Sequence, residues 1–62
     1  MMKYNEFIRL LKKEGWFELR RSGSHVIMQH PEKSNQLSVP IHGSKEIGKG
    51  LQQKILKQAG LK

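Results

Sequence analysis

Two short strand-like runs stand on either side of Gly23-Ser24, and that dipeptide constrains the fold more than any other feature of the chain. From Trp16 the apolar residues recur at every second position, and the runs 16–22 and 25–30 are separated by those two residues alone. A two-residue Gly-X connection favours a type II′ hairpin turn, because glycine takes the positive φ that the first position demands. The turn then dictates a register with Ser22 opposite His25, Arg20 opposite Ile27 and Leu19 opposite Met28. Side chains alternate across a strand, so Phe17, Leu19, Val26 and Met28 are expected on the core face. Glu18, Arg20, Ser22, His25 and Gln29 are expected on the opposite, polar face. His25 thus lies in the open beside an arginine.

Upstream of the hairpin, Tyr4, Phe7, Ile8 and Leu11 fall at i, i+3, i+4 and i+7, the stripe of one helical face. Lys12 and Lys13 suit the negative end of that helix and Gly15 the position just past it, so a helix is expected over 5–14. Downstream, residues 31–35 have turn chemistry. Leu37, Val39 and Ile41 then alternate with Gln36, Ser38 and Pro40 as a third strand. Pro40 has no N–H for a ladder, which places this strand at an edge or ends it there. Ile47, Leu51 and Ile55 share one face of a last helix, with Leu56 and Ala59 beside it. Gly48 and Gly50 would each cost about 1 kcal/mol relative to alanine inside a helix. Residues 42–50 are therefore read as a loop with scope for one helical turn, and 51–59 as the firm helix. Gly60 ends it and Leu61 folds back over the cap. The expected fold is α+β, in the order α-β-β-β-α. Both helices cover one face of a three-stranded antiparallel sheet, and a single domain spans 1–62.

A 62-residue chain without cysteine has no disulfides or thiolate metal sites to support a small core. A partner chain or a well-idealised core must take their place. Twelve Lys and Arg against five Glu leave a net charge of +7, which speaks to partners. Nucleic acid is the expected partner, because every phosphate neutralised releases condensed counterions. A membrane surface would require a helix with a free apolar face, and both helices need theirs for the core. The longest apolar run is Val26-Ile27-Met28, far short of a membrane span or a signal peptide, so a soluble cytoplasmic protein is expected.

The three histidines, His25, His30 and His42, match no compact ligand spacing, so no metal and no other cofactor is expected. Paired-carboxylate chemistry finds no Asp and five scattered Glu. Ser24 lies next to His25 but on the other strand face, which does not suit a serine nucleophile. Histidine alone can still assist one reaction. RNA carries its own nucleophile in the 2′-hydroxyl, and imidazole exchanges protons near neutral pH. Arg20, and Arg21 nearby, are suited to hold the phosphate. On spacing alone His25 is open between this role and that of an ordinary strand residue at a turn. The stretch His42-Gly43-Ser44-Lys45-Glu46 leads toward a helix N-terminus with Lys49 close by, a pattern open between a phosphate site and a solvated basic loop. His30 beside Pro31 reads as turn surface. Trp16 and Tyr4 fit the core better than base stacking.

Three stretches together resemble a known family: 7–16, which reads Phe-Ile-Arg-Leu-Leu-Lys-Lys-Glu-Gly-Trp; 20–25, Arg-Arg-Ser-Gly-Ser-His; and Val-Pro-Ile-His-Gly at 39–43 with 55–61. The chain is similar to the HicA toxins of bacterial and archaeal toxin–antitoxin systems. The resemblance implies a fold like the double-stranded RNA-binding domain, an mRNA-cleaving activity and a HicB-type antitoxin as inhibitor, with oligomers formed mainly through that antitoxin. It also implies that the catalytic residue is the histidine of the Gly-Ser-His motif, here His25. Arg20, Arg21, Ser24, His42, Lys45 and Lys49 are the expected RNA contacts. A non-catalytic RNA-binding module of the same fold is the alternative, but a pure binder has no need of His25. A structural or ribosome-associated basic peptide would account for the charge but not for the tight turn.

Overall fold

The computed structural model describes residues 2–42 and 45–61. Five elements follow one another: helix α1 (Tyr4–Lys13), strands β1 (Phe17–Ser22), β2 (His25–Gln29) and β3 (Gln36–Pro40), and helix α2 (Lys49–Gln58). The strands form one antiparallel sheet in the order β1-β2-β3. This is the α+β fold in the α-β-β-β-α order that the sequence implies. β3 is an edge strand and Pro40 is its last residue, where a missing N–H does least harm.

The predicted helical stripe is what α1 buries. Phe7 and Leu11 are fully buried, with Tyr4 and Ile8 packed at the margin. The Glu6 carboxylate accepts the Lys3 backbone N–H at 2.9 Å, which satisfies a donor at the helix start. At the other end Gly15 has a φ of +103°. Its N–H donates to the Lys12 carbonyl at 3.1 Å while the Trp16 N–H donates to Leu11 at 3.0 Å. This paired cap turns the Trp16 ring into the core, where it is buried and out of reach of a base. α2 ends the same way, with Gly60 N–H on Lys57 at 3.1 Å and Leu61 N–H on Leu56 at 2.9 Å. α2 begins two residues earlier than expected. Gly50 sits in its first turn, where N–H groups lack intrahelical partners anyway and glycine does less damage than in the interior.

Val26 and Met28 of β2 with Leu37 and Val39 of β3 line the inner face of the sheet. Ile47, Ile55 and Ala59 close the core from the α2 side. On β1 the expected register holds at the turn, with Ser22 opposite His25 and Arg20 opposite Ile27, and fails beyond it. A bulge at Leu19 puts Glu18, not Leu19, opposite Met28 and puts Phe17 opposite Gln29. One extra residue reverses the facing of everything past it. Phe17 and Leu19 are therefore not core residues; they are 43% and 45% exposed. Glu18 turns to the helix side, where it meets the Lys12 ammonium of α1 at 2.9 Å. The hydrogen bond from Lys12, with the Arg21 guanidinium beyond it, holds the Glu18 carboxyl below its ordinary range.

His30 is more than turn surface. Its Nδ1 accepts the Glu32 backbone N–H at 3.0 Å, so Nε2 carries the proton and donates to the Glu14 carbonyl at 3.2 Å. The ring meets the Trp16 indole edge-on, with centroids 5.4 Å apart. The clasp joins the end of β2 to the end of α1.

Candidate active site at one end of the sheet

The Gly23-Ser24 turn, the end of β3 and the start of both helices lie together. Gly23 has a φ of +60° and Ser24 has a negative φ, as a type II′ turn requires. The Ile41 N–H donates to the Ser24 carbonyl at 2.7 Å, which carries the β2–β3 ladder past Pro40 and brings His42 alongside the turn. The His42 ring packs edge-on against Tyr4 with centroids 4.9 Å apart, and the Lys45 carbonyl accepts the Tyr4 N–H at 2.9 Å. Lys3 pairs with Glu46, and Ile47 N–H donates to Met2 at 2.9 Å, which brings the Gly48 cap of α2 and Lys49 to the same end. At the opposite end Asn35 donates to the Gln58 carbonyl at 2.8 Å, and the His30 clasp holds Glu14. Both helices therefore present their N-termini, the positive ends of their dipoles, toward the His25 end.

His25 opens β2 on the face that no helix covers, opposite Ser22 on one side and Pro40 on the other. Its side chain is exposed and makes no hydrogen bond, ion pair or ring contact among the described residues. Arg20 stands one step along the ladder on the same face, at the diagonal position within reach of a long side chain. Arg21, opposite Val26, belongs to the helix side and lies 3.5 Å from Glu18. The two neighbouring arginines are thus split by the sheet. Ser24 is exposed in the turn. His42, Lys45 and Lys49 are exposed around the same end, but the His42 ring leans on Tyr4 at the helix side and does not share the His25 face. Gly43 and Ser44, which complete the expected basic loop, lie outside the described residues.

An exposed imidazole, an adjacent guanidinium and lysines at two helix starts can accept a phosphodiester and exchange a proton with it. Sequence reasoning missed one feature of this face, the Phe17 ring, because strict alternation assigned it to the core. Arg21 gave no warning of the bulge, because it lies opposite Val26 on the helix side with or without it.

Comparison with known proteins identifies the family. A family model described as "HicA toxin of bacterial toxin-antitoxin" matches residues 4–61. A protein of Pseudomonas fluorescens (strain Pf0-1) named "Probable mRNA interferase HicA" is 46% identical over 61 residues, covering 98% of this chain and 98% of that protein. The match runs through both helices, all three strands and the Gly23-Ser24-His25 turn, and on that extent the chain belongs to the HicA toxin family.

Proposed function

We propose that this chain is the toxin of a toxin–antitoxin pair, an endoribonuclease that cuts mRNA without a metal ion, with His25 as its catalytic residue. Membership of a toxin family and 46% identity to a named mRNA interferase support the activity. The observation that carries the residue assignment is the uncovered His25 side chain beside Arg20, at the end toward which both helix dipoles point. The imidazole takes the proton of the 2′-hydroxyl, whose oxygen attacks the adjacent phosphorus. The 5′-oxygen leaves and is reprotonated, and a cyclic phosphate remains. Arg20 offsets the charge that builds on the phosphate oxygens. Ser24, His42, Lys45 and Lys49 hold the flanking strand, with Arg21 at the helix-side rim.

The inhibitor is a HicB-type antitoxin with a surface complementary to a chain of net charge +7, seated over the His25 face. Oligomers form mainly through it. The decisive experiment is His25→Ala. The residue is exposed, so the change should alter stability by no more than about 0.5 kcal/mol. Losing a general acid or base should lower the cleavage rate roughly 10²–10⁴-fold while RNA and antitoxin binding persist. Parental cleavage should survive EDTA. Cleavage by His25→Ala at the parental rate would end the catalytic assignment and favour His42. No cleavage by any variant, with RNA binding intact, would favour a non-catalytic RNA-binding module.

A further inference from the structure

We infer that Phe17 is a base-stacking residue, holding a nucleobase of the RNA strand at a fixed remove from the phosphate that is cut at His25. The choice of RNA as the ligand rests on the ribonuclease reading above; the placement of the ring does not. The Leu19 bulge moves Phe17 off the core face and onto the face that carries Arg20 and His25. The ring is left 43% exposed beside Gln29, with no helix to cover it. A buried aromatic would have stabilised a core this small, so a device that turns one outward sacrifices packing for surface. Among its described residues this face carries no carboxylate, because Glu18, the acid of β1, is turned to the helices. Cationic and flat apolar groups without acids suit a polyanion whose bases present flat faces.

The spacing is also suitable. Phe17 lies opposite Gln29 and Ser22 opposite His25, so four residue steps along β2 separate the ring from the catalytic side chain. At about 3.3 Å per residue this is roughly 13 Å, with Arg20 between them to hold an intervening phosphate. The Gln29 amide beside the ring donates to the Lys33 carbonyl at 2.7 Å in the β2–β3 turn. The phenyl ring itself has no hydrogen-bonding edge, and its grip on different bases should differ little.

The test uses the full chain carrying His25→Ala, so that binding is read without cleavage. Adding Phe17→Ala should weaken single-stranded RNA binding roughly 5- to 150-fold, and Phe17→Tyr should restore it. An RNA with a single abasic nucleotide, moved position by position, should lose a similar factor at one position only. The Phe17→Ala protein should lose nothing further at that position. Unchanged RNA affinity on Phe17→Ala overturns the proposal, including the case in which antitoxin binding alone is weakened and the ring serves a protein contact. If Phe17→Ala fails to fold, the abasic series on the Phe17 protein still decides, and a uniform response at every position overturns stacking. Parental cleavage by His25→Ala would remove the catalytic reading and leave this binding result standing.

Discussion

Replacing Gly15 by alanine should cost far more than the same change at Gly23, although both glycines have positive φ. At Gly15 the φ is +103° and an added Cβ would lie 2.5 Å from His30 Nε2. At Gly23 the φ is +60° and nothing lies within 4 Å of the added atom. Forcing a non-glycine residue into the left-handed region costs about 1–2 kcal/mol, which is all that Gly23→Ala should lose. At Gly15 the imidazole must also move, and it is held on both sides. Moving it forfeits the bond to the Glu14 carbonyl, about 1 kcal/mol net, and its edge contact with Trp16, about 0.5–1.5 kcal/mol. The sum for Gly15→Ala is about 2.5–4.5 kcal/mol, a large part of the 5–15 kcal/mol typical of a folded domain. For a domain of this size each kcal/mol lowers Tm by about 4–8 °C, so roughly 10–36 °C is expected for Gly15→Ala and roughly 4–16 °C for Gly23→Ala. Thermal melts followed by circular dichroism give both values. The critical arm is Gly15→Ala in a His30→Ala background, where the penalty should fall to that of Gly23→Ala. If the penalty stays the same with His30 removed, the clasp does not exist as described.

Two further expectations concern charge. Log affinity for single-stranded RNA should fall with log salt by about 0.7 for each phosphate neutralised. Arg20→Ala should reduce that slope by about this amount and Arg21→Ala by less, since Arg21 faces the helices beside Glu18. Equal effects would contradict the split of the two arginines by the sheet. The second expectation follows from Glu18, whose carboxyl is held below its ordinary range by Lys12 and then Arg21. A depressed carboxyl stabilises the folded state above its unfolded value and loses that contribution as pH falls through the folded one. Denaturant melts of Glu18→Gln against the parental chain should show a parental advantage at neutral pH that disappears in acid. An advantage that grows on acidification would contradict the sign.

The local rules carried the reading a long way. The stripe from Tyr4 to Leu11, Gly15 and Gly60 past the helix ends, the type II′ turn at Gly23 and the position of Pro40 all involve residues within a few places of one another. Such preferences act in any context, and His25 on an open face beside Arg20 follows from them because the register at a two-residue turn is set by the turn.

What the chain alone determined was therefore the order α-β-β-β-α, the caps, the hairpin and the surface position of His25. Tertiary structure decided where β1 breaks its alternation, and with it the outward turn of Phe17 and the meeting of Glu18 with Lys12 of α1. It made a clasp of His30, whose partners Glu14 and Trp16 lie on other elements. It also set His42 and Lys45 beside the turn that holds His25, through the contact of Ile41 with Ser24 and the seat of Tyr4. Periodicity records which side of its own element a residue occupies. Which groups meet across elements depends on the packing of the whole core, and no window of neighbouring residues contains it.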